Sequence, residues 1–527
     1  MTSEATYKFI AFLLIATIVL ELIARRLRLP PAASLIVGGI VLALMPGIPS
    51  IHIDPDLVML VFLPPLLMSS AYFTVWSDFR RHFGGIASLA LGAVAFTTLA
   101  VALVFHLLVP QLPWAVGFAL GAIVSPPDAV AAGAILERLQ LPSRITTLLE
   151  GESLVNDASG LVLLRFAVAA AMTGTFSTVG ALGALAWVST GGIAAGLLIG
   201  WLGLIAIRKL GNSELVVTAT LLLAVVSYIS AEAMGSSGVL STVTTGLLLG
   251  WHQHGTFSAE TRVRAQAFWG ILVFLLESLL FIMIGLSLRG VLERIGGLRH
   301  GASELWLPIL AVVVTVIVAR FVWMTGAGTF RRLLRKEGQR PDATSTFATT
   351  AIMSWAGMRG VVTLTGALSL PADFPGKDIL LVAAFAVIVV TVLLQGSTLG
   401  PLASLLKIIN PEEARSIKDN AAAAWRRVAE AQYRAVQSLA LGKDGVIHHP
   451  RLLEQYDHRA KVAALYEADP TKHDDIKSQH FGAVLAANRA GRAEILRMHR
   501  AGEIHETVMR QLEHELDLQE MAAQNRR

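Results

Sequence analysis

Apolar runs follow one another from residue 8 to residue 406, and nearly all are long enough to cross the hydrocarbon of a bilayer as a helix. They read as about thirteen spans, roughly 8–24, 30–46, 55–73, 84–109, 113–137, 145–172, 179–207, 213–233, 237–251, 266–288, 304–330, 345–370 and 378–406. Several contain Gly or Pro, which a helix inside a bundle tolerates. The expected fold is an all-α polytopic membrane protein. With 54% apolar residues, an ordinary soluble protein is excluded.

Charge separates the chain into two parts. Of its 81 charged residues, 36 lie beyond Asn410, 18 basic and 18 acidic. Residues 1–406 are expected to form a membrane domain and 407–527 a helical, near-neutral tail. The formal charge of +5 therefore sits in the membrane loops, which points to orientation in a membrane and not to nucleic acid. Loops after odd-numbered spans carry 16 Lys and Arg; those after even-numbered spans carry 4, namely Arg289, Arg294, Arg299 and Lys377. The positive-inside rule then puts the N-terminus outside and the tail in the cytoplasm, in a multi-pass protein of the cell membrane. The first run lacks a basic leader and a small-residue cleavage site, so it is expected to be retained. Having no cysteine, the chain has no disulfide, thiolate site or thiol chemistry. In the tail, 421–441 and 483–521 have helical composition, with breaks near 442–450 and 469–475. Eight of the 14 histidines fall there, open to two readings, solvated side chains or a pH sensor.

The most informative polar residues lie in Leu149-Glu150-Gly151-Glu152-Ser153-Leu154-Val155-Asn156-Asp157-Ala158-Ser159-Gly160. An acid well inside a membrane span costs about 2.5–3.5 kcal/mol on insertion scales, so Asp157 is a functional candidate by default. At about 100° per residue, Glu150, Ser153 and Asp157 share one stripe. Glu152 and Asn156 share a second, one position round. The first stripe is read as facing an ion path, with Glu150 at its entry, and the second as facing protein. The competing reading is that all five only pair with neighbouring helices.

Two spans carry helix breakers at the same relative place. Ser125-Pro126-Pro127-Asp128 interrupts the fifth, because proline lacks the backbone donor. Gly357-Met358-Arg359-Gly360 interrupts the twelfth, with flexible glycines around a cation. Spans 1–6 and 8–13 would form two inverted six-helix repeats, and matching interrupted helices point to a transporter's midplane site. Asp128 can compensate the positive helix N-termini exposed there and can equally serve as an ion ligand; Arg359 can compensate the negative C-termini. Arg320 is expected to pair with Glu152. Arg165 is placed to snorkel towards the outer end. For Glu277, structural and functional readings stand level. Gly192, Gly196 and Gly200 form a stripe for close helix packing. Trp251-His252-Gln253-His254 reads as a solvated loop, its two histidines being too few for a metal site.

These motifs resemble the sodium/proton exchangers of the cation:proton antiporter family, the group with NhaP-like bacterial antiporters and animal exchangers. The resemblance spans about 1–406. Its most specific piece is Gly-Glu-Ser-Leu-x-Asn-Asp-Ala, at Gly151 to Ala158. Phe62-Leu63-Pro64-Pro65-Leu66-Leu67, Ser125–Asp128, Ala319-Arg320 and Gly357–Gly360 follow the family's order. Many relatives carry an acid shortly after the Pro-Pro-Leu-Leu segment, where this chain has Ser69 and Ser70.

The resemblance implies a transporter, not an enzyme, that exchanges a monovalent cation, Na+ first and Li+ or K+ as options, for H+. It implies that Asp157 holds cation or proton, with Ser153 as hydroxyl ligand and Asp128 and Pro127 lining the site. Asn156 would stand beside the Glu152–Arg320 pair, and Arg359 would steady the second broken helix. A core (84–172 and 304–406) would move against a scaffold (8–73 and 179–288). Because Asn156 cannot titrate, exchange is expected to be electroneutral. No cofactor is expected; the partners would be the cation, H+, membrane lipid and a second copy in a homodimer serving pH homeostasis. The rivals are an intramembrane protease using Asp128 and Asp157 as an acid dyad, and a cation channel.

Overall fold

The computed structural model describes residues 3–27, 29–46, 55–128, 133, 142–174, 178–294, 298–333, 347–406, 411–440 and 447–524. Among them the regular structure is helical, with no β-strand. The chain divides into two compact units, Met1–Ile408 and Ile409–Arg527.

In chain order the first unit contains α1 (Ser3–Leu27), α2 (Pro31–Leu44), α3 (Pro55–Val61), α4 (Leu63–Phe73) and α5 (Trp76–Ala87). A π-turn, Ser88–Ala93, joins α5 to α6 (Val94–Leu108), and α7 (Trp114–Val124) comes next. Then come α8 (Ser143–Thr173), α9 (Thr178–Ile207), α10 (Ser213–Ala233), α11 (Gly238–Thr256), α12 (Ala259–Arg294) and α13 (Leu298–Leu333). The short α14 (Phe347–Trp355) and α15 (Val361–Leu368) precede α16 (Lys377–Val390), which a second π-turn, Thr391–Gln395, joins to α17 (Gly396–Leu405).

Among the described residues, 7 helical stretches are long and apolar enough to cross a membrane; Pro31–Leu44, Val58–Phe73 and Trp114–Val124 are shorter apolar helices. The expected span 55–73 divides at Phe62. Pro64 and Pro65 fall in the first turn of α4, where the missing N–H costs no helical bond. The expected span 84–109 begins earlier, at Trp76, because Gly84 and Gly85 do not break the helix, so Arg80 and Arg81 lie on a helix and not in a loop. Residues 129–132 and 134–137 of the expected fifth span, and Arg28, Arg138, Arg335, Lys336 and Arg340 of the orientation count, lie outside the described residues.

This unit is apolar outside as well as within, and its core also holds charged and polar side chains. Ile15, Ile18 and Leu22 on α1 and Leu198, Trp201 and Leu202 on α9 are exposed, while Glu152, Asn156, Asp157, Arg320 and Arg359 are buried. Such apolar faces suit lipid. Between helices in lipid, close packing and hydroxyl bonds replace hydrophobic drive. At the α9–α11 contact, a Cβ on Gly192 would lie 2.6 Å from the Ser237 carbonyl oxygen, and one on Gly196 would meet the Ser241 carbonyl. The Thr245 hydroxyl donates to the Gly196 carbonyl at 2.9 Å, and Ser227 on α10 bonds Ser241 and Thr245 at 2.7 and 2.8 Å. The expected glycine stripe is thus a backbone contact.

The second unit holds α18 (Pro411–Ala440), α19 (Pro450–Ala468), α20 (Pro470–Arg500) and α21 (Glu506–Gln524). Arg492 of α20 pairs with Asp517 at 2.7 Å and Glu520 at 2.9 Å on α21. The break expected over 469–475 shrinks to Asp469, since Pro470 starts a helix. An unexpected break at 501–505 turns on Gly502, with φ +72°. Residues 441–446 lie outside the described residues.

Gly196→Leu should force α9 and α11 apart, overpacking that costs roughly 1–3 kcal/mol. The variant should melt below the unmodified protein in detergent, followed by size-exclusion after heating. Identical melting would show that this contact is not tight.

Candidate functional site

The two interrupted segments meet. α7 ends at Val124 and α14 at Trp355. The Asp128 N–H donates to the Met358 carbonyl at 2.7 Å, joining the breaks through backbone. Each break leaves carbonyls without helical partners, and away from water these must be satisfied. Arg359, 1% exposed, supplies donors to both ends. Its Nε donates to the Val124 carbonyl at 2.9 Å and its Nη2 to the Ser125 carbonyl at 3.2 Å; its Nη1 donates to the Gly357 carbonyl. The Thr391 hydroxyl accepts the Arg359 N–H at 3.1 Å. At the opposite pole, Asp128 Oδ2 accepts the Val361 N–H at 3.4 Å, in the first turn of α15.

Two glycines make these approaches possible. A Cβ on Gly360 would overlap the Asp128 carboxylate. A Cβ on Gly357 would lie 2.5 Å from Arg320 Nε and 3.0 Å from Arg359 Nη1.

The long helix α8 crosses beside the breaks and ends at Gly174, with φ +69°. Its second polar stripe turns to protein. Glu152, fully buried, holds Arg320 through two parallel bonds, Nη1 to Oε1 at 2.6 Å and Nη2 to Oε2 at 2.8 Å. Arg320 Nε donates to the Met353 carbonyl of α14 at 3.1 Å. Asn156 Nδ2 donates to the Pro127 carbonyl at 2.7 Å, so the amide ties α8 to the first break. Among the described residues, Asn156 Oδ1 is buried without a hydrogen-bond partner.

The first stripe is graded in depth. Glu150 is exposed, Ser153 half-buried and Asp157 7% exposed. Asp128 stands close enough for its charge to act on Asp157. Asp157, Asp128, Ser153, Asn156 and Pro127 offer oxygen donors only, a set suited to a hard cation.

Other positions differ from expectation. Arg165 is exposed and has a partner that its place in the sequence does not show. It pairs with Glu232 of α10 at 2.9 Å, whose other oxygen accepts the Gly238 N–H at 3.0 Å. Trp251–His254 forms part of α11 and not a loop, because Gly250 packs on the Tyr72 backbone without breaking the helix. Ser69 is buried and Ser70 exposed. Reading the sequence missed Thr98, which donates to Ser125 at 3.1 Å, and Thr391. It also missed Glu21, buried at 8% on α1 and bonded to Arg25 at 3.0 Å. A search for every acid within the first span would have found Glu21; nothing local marks the two threonines.

Residues 10–405 match the family described as Sodium/hydrogen exchanger, transmembrane. The chain belongs to the sodium/hydrogen exchanger family. It is 30% identical over 498 residues to the uncharacterized Na+/H+ exchanger YjcE of Escherichia coli (strain K12), covering 89% of this chain and 90% of that one. It is 29% identical over 414 residues to the Na+/H+ antiporter NhaP of Pseudomonas aeruginosa, covering 74% and 95%. It is 31% identical over 382 residues to the sodium, potassium, lithium and rubidium/H+ antiporter of Bacillus pumilus, covering 69% of this chain and 56% of that protein. The fold is similar to the sodium proton antiporter MjNhaP1 from Methanocaldococcus jannaschii, with TM-score 0.61 and 21% identity over 78% of this chain and all of that one. As a sodium/hydrogen exchanger the protein is a multi-pass membrane transporter of the cation:proton exchange class, not an enzyme.

In this exchanger, removing one partner of Glu152–Arg320 leaves a buried charge, at roughly 3–5 kcal/mol. Glu152→Gln and Arg320→Gln should each lower the melting temperature, and the double variant should recover part of the loss. Strictly additive losses in the double-mutant cycle would show that the two are uncoupled.

Proposed function

We propose that this exchanger moves a monovalent cation, Na+ first, against H+ with one-for-one stoichiometry, the two competing for Asp157. The observation that carries the reading is a buried carboxylate on α8 beside the Pro127–Asp128 break, approached along a stripe that begins at exposed Glu150. Ser153, Asp128, the Pro127 carbonyl and Asn156 Oδ1 complete the oxygen set. The ions named for the Bacillus pumilus relative, sodium, potassium, lithium and rubidium, favour testing Li+ and K+ as well.

Charge balance supports electroneutrality. Around the two breaks, Arg320 and Arg359 stand against buried Glu152 and Asp157 and half-buried Asp128. Two cations against three carboxylates leave one negative charge, which one proton or one monovalent cation cancels. Asn156 cannot titrate, Glu152 is held by Arg320, and Asp128 is engaged at α15.

Exchange would proceed by alternating access, a core (84–172 and 304–406) moving against a scaffold (8–73 and 179–288) in a bundle of about thirteen spans built from two inverted repeats. Residues 1–406 would be the antiporter and 407–527 a cytoplasmic domain, with the N-terminus outside. The protein would act as a homodimer in the cell membrane and contribute to pH homeostasis.

Asp157→Asn should abolish exchange in proteoliposomes, read as dissipation of a pH gradient on adding Na+ or Li+, while eluting normally on size exclusion. Wild-type rates in that variant would remove Asp157 from the mechanism. For the unmodified protein, Na+-driven proton movement should be insensitive to clamping the membrane potential with valinomycin and K+. A transport current on a supported membrane, reversing with the Na+ gradient, would overturn one-for-one exchange.

A further inference from the structure

The π-turn Ser88–Ala93 interrupts an otherwise α-helical stretch from Trp76 to Leu108. A π-turn admits one extra residue, so the helix beyond it is rotated by about 100° relative to an unbroken α-helix. The rotation has a visible consequence. In a regular helix Ile86 and Thr98 would point about 120° apart; one inserted residue brings them within about 20°. Both then lie on the side of the helix that packs on α7 and α8. Ile86 and Phe79 lie on Gly151 of α8, where a Cβ would come 2.9 Å from Ile86 Cγ1 and 3.4 Å from Phe79. Thr98 and Ala102 lie on α7, where a Cβ on Gly121 would come 2.8 Å from Thr98 Cα and one on Gly117 3.0 Å from the Ala102 carbonyl oxygen. Thr98 also donates to Ser125, at the start of the first break. One helix thus gauges both α8, which carries Asp157, and the segment that carries Asp128.

Two side chains hold the π-turn. The Ser159 hydroxyl lies 2.6 Å from the Ala90 carbonyl oxygen and 2.8 Å from that of Asn156. The Trp323 indole N–H donates to the Ser88 carbonyl at 3.1 Å. Gly92 lets that indole lie on the turn, since a Cβ there would overlap the ring. Ser159 stands two residues beyond Asp157, and Trp323 three beyond Arg320.

We propose that Ser159 and Trp323, by holding the π-turn Ser88–Ala93, are positioning residues that set the Asp157 helix against the first break and so tune cation binding. The inference rests on the reading of Asp157 as the shared carrier.

The test uses the full-length exchanger in proteoliposomes. KM and maximal rate for Na+ are measured across a pH series for Ser159→Ala, Ser159→Thr and Trp323→Phe, beside Asp157→Asn. Ser159→Ala should raise the KM about three- to tenfold, the range for one lost hydrogen bond, with the maximal rate retained and the pH profile displaced. Ser159→Thr, which keeps the hydroxyl, should restore both. Trp323→Phe, which keeps an aromatic ring without the N–H, should shift the KM in the same direction. It serves as the independent variant if Ser159→Ala elutes as aggregate. An unmodified KM and pH profile in well-folded Ser159→Ala or Trp323→Phe, with Asp157→Asn inactive, overturns the inference alone. Loss of maximal rate and thermal stability together at constant KM also overturns it, since that is a structural role only. An active Asp157→Asn overturns the underlying reading instead.

Discussion

The site depends on how broken backbone is satisfied away from water. Interrupting α7 and the α14–α15 segment strips carbonyls and N–H groups of their helical partners at the place where no solvent replaces them. Arg359 answers the carbonyl ends of both segments, and the Asp128 carboxylate answers the N–H end of α15. The Asp128 N–H closes onto Met358, and Asn156 reaches the Pro127 carbonyl from α8. Irregular backbone thereby becomes a fixed frame. Asp157 is presented beside that frame.

The Glu152–Arg320 pair extends the frame to a third direction. Its bidentate geometry and the bond from Arg320 to Met353 tie α8, α13 and α14 together. A buried ion pair is weak evidence for stability, since desolvation offsets attraction. Its effect here is orientational. It fixes the rotation of α8, and one position round the helix that same rotation decides where Asp157 points.

Much of this was legible in the sequence because membrane burial makes polar residues informative. Spacing alone separated the Glu152–Asn156 stripe from the Glu150–Ser153–Asp157 stripe, and the structure gives them different surroundings. The double proline and the Gly-Met-Arg-Gly segment marked both interruptions. Less legible were contacts whose partners are distant in the chain. The Arg165–Glu232 pair is one, since Glu232, 67 residues on, carries no local mark. The π-turns were invisible, since Ser88–Ala93 is as good an α-helical sequence as its flanks. The helix also runs back past Gly84 and Gly85 to Trp76, beyond the expected start of that span at 84. In the tail, Gly502 broke a stretch whose composition was uniformly helical.

On the proposed reading, the charge count also explains why exchange is coupled. With Asp157 unloaded, the cluster of Glu152, Asp128, Asp157, Arg320 and Arg359 carries one uncompensated negative charge. Moving that charge through a low-dielectric barrier costs several kcal/mol after relaxation. With either a proton or one monovalent cation in place, the cluster is neutral, and the movement carries no such penalty. The loaded forms therefore cross and the empty form does not. Coupling needs no communication between distant sites, only a carboxylate too costly to carry bare. A second titrating acid at the position of Asn156 would change the count. The cluster would then need two protons to reach neutrality, and one monovalent cation would leave it charged. The amide at 156 is thus the residue on which the one-for-one ratio turns, while its nitrogen serves the break at Pro127.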